Sequence, residues 1–211
     1  MTFMCARLRL SYSSGKLARL LSAVAIYQDI VQNENAAPMD QASIIADTPE
    51  GLKLRSANFG LVPSWAKDLT LAVKAFNARL ETVEEKPMFR KAFEKRHCII
   101  PCDGFYEWRT ENGIKQPYYI SRNDGNLMAL AGIWERWQEE YYSFSILTTE
   151  PNRFMKDYHN RMPVILSNDD LTPWLRSGAD KSSIVLEDHE MLQAIPVARS
   201  VSNPRNKIIP L

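Results

Sequence analysis

Two turn signals standing close together, Glu111-Asn112-Gly113 and Asn123-Asp124-Gly125-Asn126, constrain this chain more than any other feature. Asn-Gly and Asp-Gly steps supply the positive φ angles that tight hairpin loops require. They join apolar or alternating runs over 98–108, 116–122 and 127–134. Strands joined by turns this short pair antiparallel, because a parallel crossover needs roughly a dozen residues or more. Further strands are expected over 4–10, 42–46 and 141–149, and over 52–60 behind the Thr48-Pro49-Glu50-Gly51 turn. Helices are expected over 16–30, with Ser13 or Ser14 as N-cap, and over 84–95, 152–158 and 171–175. The stretches 32–41 and 200–211 read as irregular. The expected fold is α+β: a single domain over 1–211, mainly an antiparallel, barrel-like sheet with flanking helices, and not a doubly wound one.

The balance of 26 Lys and Arg against 25 Asp and Glu leaves a net charge of +1. That excludes a histone-like binder, whose affinity rests on overall positive charge, and an acidic disordered chain. The charge is nevertheless segregated. Arg7, Arg9, Lys16 and Arg19 precede any acid, and Arg199, Arg205 and Lys207 close the chain with none. A restricted basic groove on a neutral body is the reading. No run approaches the ~20 apolar residues of a membrane span. With three cysteines and no export signal, reduced thiols in the cytoplasm are expected.

Four groups of residues have the types needed for chemistry. Glu107 stands between Tyr106 and Trp108 in an apolar run, where burial raises a carboxyl pKa and suits proton transfer; a glutamate paired to a core arginine would look the same. Among the three histidines, His189 lies between acids, His97 enters a strand as a structural residue, and His159 has Arg161 and Pro163 beside it. Cys98 and Cys102 lack a second pair to complete a zinc site and read as core; no metal or cofactor is expected. Cys5 is different, because a cysteine at a chain start carries an α-amine near ~8 and a thiol near ~8.5 on adjacent carbons. Together these capture an aldehyde as an imine and then as a thiazolidine. Asn77 and Arg79 share one face if extended, as a phosphate or sugar clamp or a loop-anchoring network.

Six segments in order resemble the SOS response-associated peptidase (SRAP) family: Met4-Cys5-Ala6-Arg7, Asn35-Ala36-Ala37-Pro38, Gly60-Leu61-Val62-Pro63-Ser64-Trp65, Asn77-Ala78-Arg79-Leu80-Glu81-Thr82, Asp103-Gly104-Phe105-Tyr106-Glu107-Trp108 and His159-Asn160-Arg161-Met162-Pro163. The resemblance implies a sensor of abasic sites in single-stranded DNA, acting as a monomer. It forms a reversible thiazolidine crosslink through an N-terminal cysteine and has peptidase activity on its own start. It implies Cys5 as nucleophile, Glu107 and His159 as proton-transfer groups, and Asn77 as an orienting amide. Arg7, Arg79 and Arg161 would hold phosphates, Pro63 and Trp65 would stack on bases, and Asn35 would belong to the DNA-binding set. Three departures stand out: Phe59 where Trp is usual, Ala6 where Gly is usual, and Met1-Thr2-Phe3 ahead of Met4. As written, Cys5 has no free amine. Translation from Met4, self-cleavage of the extra residues, or a binder without the reactive end are the three routes, and the Met4 start is the expectation.

Overall fold

The computed structural model describes residues 4–21, 25–26, 30–176, 189–207 and 209. The chain opens with β1 (Leu8–Leu10) and α1 (Ser14–Leu20), the helix capped by the Ser13 hydroxyl, which accepts from the Lys16 N–H. β2 (Ala25–Ile26) and β3 (Asn33–Ala36) follow, then the hairpin of β4 (Gln41–Thr48) and β5 (Gly51–Phe59). β6 (Asn77–Arg79), α2 (Arg90–Lys95) and β7 (His97–Cys102) lead into β8 (Gly104–Glu111) and β9 (Ile114–Arg122). The hairpin of β10 (Met128–Trp137) and β11 (Tyr141–Thr149) precedes β12 (Met162–Pro163), α3 (Leu171–Arg176) and β13 (Leu192–Pro196).

The strands form two mainly antiparallel sheets. The Asn112-Gly113 turn joins the paired strands β8 and β9, but the expected hairpin at 123–126 is not formed: that turn carries the chain from β9 to β10 in the other sheet. One runs β13-β9-β8-β1-β3. The other runs β12-β11-β10-β7-β4-β5-β2, and a parallel pairing of β11 with β5 closes five of its strands into a barrel. β6 adds in parallel to β11, with Asn77 opposite Ile146. One apolar core joins the layers, with Leu8, Phe105 and Ile120 of the first sheet packed with Ile45, Ile99, Leu130 and Phe144 of the second. Gly104 lets β8 and β9 pair closely, since a Cβ there would lie 2.3 Å from the Ile120 carbonyl oxygen.

Several expected elements differ. The helix placed over 16–30 ends at Leu20, where Leu21 turns extended, and Ala25–Ile26 pairs in parallel with β5. β-branched Ile26 suits a strand better than a helix end. The rest of that stretch, 22–24 and 27–29, lies outside the described residues. The strand placed over 4–10 starts only at Leu8, because Cys5 has φ 46° and breaks the extended run. The stretch 32–41 contains β3, paired with β1. Helix α2 begins at Arg90 and not near 84, because Pro87 disfavours helical geometry at Lys86. Over 152–158 only Met155–Asp157 is helical, as one 3₁₀ turn braced by the Asn152 carboxamide oxygen, which accepts from the Met155 N–H.

Candidate active site around the Met4–Cys5 peptide

Cys5 adopts the left-handed conformation at φ 46° and has no exposed surface. A non-glycine residue there is strained by about 1–3 kcal/mol, so neighbouring groups must hold it. They do so on both sides of one peptide bond. The Cys5 N–H donates to Glu107 Oε1 at 2.5 Å, and Asn77 Nδ2 donates to the Met4 carbonyl oxygen. Glu107 comes from the middle of β8 and is fully buried opposite Tyr118 of β9. Asn77 is placed by the parallel pairing of β6 with β11. The amide donor polarises the Met4 carbonyl, and the Glu107 carboxyl stands at the nitrogen of the same peptide.

The electrostatics follow from burial. Desolvation pushes the Glu107 carboxyl up to about 8, although the backbone N–H groups of Cys5 and Trp108 favour its charged form. Glu107 Oε2 and Asn77 Oδ1 are buried without a hydrogen-bond partner among the described residues, leaving one unsatisfied polar atom on each side of the peptide. Burial first, then the nearby Glu107 and Cys102, raise the Cys5 thiol well above its usual range. In this state the thiol is therefore protonated. Ala6, where glycine is usual in the family, is not among the positive-φ residues; the left-handed position is Cys5 itself.

The other expected site residues fall into distinct environments. His159 follows a 3₁₀ turn, and its Nδ1 accepts from the Arg161 N–H at 3.1 Å, so a neutral ring carries its proton on Nε2. Arg161 makes a two-pronged pair with Glu81 at 2.8 and 2.7 Å and also donates to the Thr148 carbonyl oxygen. Arg79 is exposed and borders a groove of about 370 Å3 shared with Asn77, Lys86 and Phe89. Arg7 is half-buried, 6.0 Å from the Trp108 ring, with Nη2 donating to the Ser202 carbonyl oxygen at 3.4 Å. Trp65 is 53 % exposed beside buried Pro63, on a turn fastened by Trp137 Nε1, which donates to the Ala66 carbonyl oxygen.

Asn35 departs from the expected DNA-facing role. It is fully buried, and its Nδ2 donates to the carbonyl oxygens of Val201, Asn203 and Asn206, so it fastens the C-terminal segment. His97 is structural as expected, buried against Phe93 and Trp174, and burial lowers its pKa. Cys98 and Cys102 are buried and free. His189 falls in a 3₁₀ turn. Among the described residues no group of three or more metal-binding side chains occurs, and no helix is long and apolar enough to cross a membrane. Sequence reasoning missed Arg109, which lies two residues from Glu107 on β8. Its guanidinium sits 5.4 Å from the Tyr118 ring and 5.7 Å from the Tyr158 ring, tying this strand to the His159 loop. The period of two along β8 was the signal that could have found it.

Residues 4–204 match the family of SOS response associated peptidases (SRAP). The chain belongs to the SRAP family. It is 39% identical over 182 residues to the abasic site processing protein YoaM of Bacillus subtilis, covering 82% of this chain and 80% of that one. It is 31% identical over 183 residues to the abasic site processing protein YedK of Escherichia coli, covering 82% and 80%. A crystal structure of a protein from Bacteroides thetaiotaomicron superimposes with a TM-score of 0.83 at 28% identity, covering 96% of this chain and 97% of that one. The match begins at Met4, the residue whose carbonyl Asn77 holds.

Proposed function

We propose that this SRAP protein processes abasic sites in single-stranded DNA by covalent capture on Cys5, after its α-amine has been freed by cleavage of the Met4–Cys5 bond or by a start at Met4 with removal of that residue. The observation that carries the reading is the clamped peptide: Asn77 on the Met4 carbonyl and Glu107 on the Cys5 nitrogen. Cleavage adds one water, giving a carboxylate on Met4 and an amine on Cys5, with Glu107 supplying the proton that the leaving nitrogen takes up. The names of the relatives supply the substrate, and a carboxyl poised near neutral pH suits the proton transfers.

In the capture, the neutral amine adds to the C1 aldehyde of the ring-opened sugar, and the carbinolamine loses its hydroxyl as water, protonated by Glu107, to leave an imine. The Cys5 sulfur then adds to the imine carbon while its proton passes to the imine nitrogen, closing a five-membered thiazolidine. The product mass is the sum of protein and DNA less one water. His159 is the second proton-transfer group, and Arg7, Arg79 and Arg161 hold flanking phosphates while Trp65 stacks on a base. Asn35 acts only by fastening the segment that touches Arg7.

A second reading, a single-strand binder without the reactive end, draws on the fully buried, protonated thiol of the uncut chain. Intact-mass measurement of the expressed protein, followed by incubation with a single-stranded oligonucleotide carrying one abasic site, separates the two. The proposal expects a chain beginning at Cys5 and a crosslink that Cys5→Ala abolishes while the fold persists. A chain that retains Met4 and binds without crosslinking establishes the second reading. A crosslink that survives in Cys5→Ala overturns the assignment of the nucleophile.

A further inference from the structure

At the turn end of the β10–β11 hairpin, Arg136 and Tyr142 stand directly opposite one another. Arg55 of β5 places its guanidinium 3.9 Å from the Tyr142 ring centroid. Burial alone would raise the phenol pKa of Tyr142, yet hydrogen bonds from Arg55 and Arg136 outweigh it and hold the pKa below its usual range. Two cations thus flank one neutral phenol, Arg55 over its ring and Arg136 opposite it on the neighbouring strand. Among the described residues neither forms an ion pair with a carboxylate. The adjacent Glu135 carboxylate is engaged by Arg96 at 2.6 Å and by the Arg136 backbone N–H. Like charges gathered in this way repel one another unless an anion lies between them. The Trp134 ring lies 5.9 Å from that of Tyr142, both half-buried against the core, so aromatic edges adjoin the cations.

We infer that Arg55, Arg136 and Tyr142 form a second phosphate site, which holds a backbone phosphate of single-stranded DNA outside the reaction centre, with Trp134 beside it for an adjoining base. Paired guanidiniums suit a phosphate, and an aromatic side chain next to them suits a nucleotide better than a free anion. The Trp65 turn adjoins the other face of the same strand end. Trp137, the next residue after Arg136, fastens that turn through the Ala66 carbonyl oxygen. Successive side chains on a strand face opposite ways, so DNA passing Trp65 reaches the arginines by bending round the hairpin end. This inference rests on the proposed single-stranded DNA substrate, but it does not require the covalent step.

The test compares wild type with the double variant R55Q/R136Q on undamaged oligothymidylates of about ten and about thirty nucleotides, across a salt series. The double variant is expected to bind the longer strand at least about fivefold more weakly, with a salt slope smaller by ~0.7 for each phosphate it no longer neutralises. Binding and abasic-site crosslinking of the shorter strand stay at wild-type levels. Y142F keeps both cations and removes the oxygen that competes for them, so the longer strand binds it as well as wild type or better. Equal affinity and salt slope for wild type and double variant on the longer strand overturn the inference. So does a loss in Y142F as large as in the double variant, which would assign the effect to the ring. Thermal stabilisation by inorganic phosphate that R55Q/R136Q abolishes, with unchanged strand binding, replaces the DNA site by a free-anion site. Absent crosslinking with an intact length-dependent defect overturns only the covalent proposal.

Discussion

Glu107→Gln keeps the side-chain length and an acceptor oxygen for the Cys5 N–H, and removes the titrating proton. The wild-type carboxyl has no exposed surface and is pushed up to about 8, chiefly by burial. In the unfolded chain a glutamate titrates near ~4.3. Between those two values the folded protein binds the proton that the unfolded chain has released. Stability is therefore lost as pH rises from the unfolded value through the folded one, the reverse of the usual glutamate case. At about 1.36 kcal/mol per pKa unit, the loss attributable to Glu107 between pH 5 and pH 9 is about 4 kcal/mol. His97 works in the opposite direction, because burial lowers its pKa, but it is present in both proteins and cancels in their difference. Urea unfolding of wild type and E107Q at unit pH steps, both with the Met4–Cys5 bond shown intact by mass, gives that difference directly. The variant is expected to gain about 4 kcal/mol relative to wild type over the series, on top of any constant offset from the new amide. A difference that is flat with pH, or that favours wild type as pH rises, refutes the assignment of a neutral buried carboxyl at position 107. The same variant should lose crosslinking at every pH, since it has no proton to transfer.

Asn35→Ala removes one amide that donates to three carbonyl oxygens, at Val201, Asn203 and Asn206. A loss of about 3 kcal/mol in urea unfolding is expected, with faster proteolysis of 199–207. Asn35→Asp should be worse, since it aims a carboxylate at those same oxygens; an Asp variant as stable as wild type would contradict the placement. Gly104→Ala brings a Cβ within 2.3 Å of the Ile120 carbonyl oxygen and 2.7 Å of the Tyr119 ring, so β8 and β9 must separate. The expected cost is about 2–3 kcal/mol, read from the thermal midpoint, together with loss of crosslinking because Glu107 rides on the same strand. Unchanged stability would mean that the two strands do not approach so closely.

The legible part of this fold was the part encoded by local chemistry. Asn112-Gly113 names its hairpin because positive φ is a property of a few neighbouring residues, but Asp124-Gly125 marks only a turn, since which sheet the next strand joins is not a local property. The barrel-like form was expected, but the pairing that closes it was not legible, since the parallel contact of Asn58 with Ser143 joins segments far apart in sequence, as does that of Asn77 with Ile146. The same limit applies to the sites. Cys5, Asn77 and Glu107 could be named one by one, but the shared peptide bond between them exists only once β6 and β8 are in place. Arg55, Arg136 and Tyr142 left no trace, because three strands contribute one residue each. The substitution of Ala6 for glycine shows why the register matters. Along the sequence, an added methyl group next to the nucleophile threatens a backbone that needs positive φ. In the structure that requirement falls one residue earlier, on Cys5, where φ is 46°. The strain therefore belongs to the residue whose peptide Asn77 and Glu107 hold, and cleavage at Met4–Cys5 is the step that would relieve it. Ala6 carries no such load, so restoring glycine there should leave the rate of processing unchanged, whereas any residue at position 5 must tolerate the left-handed backbone until the bond is cut.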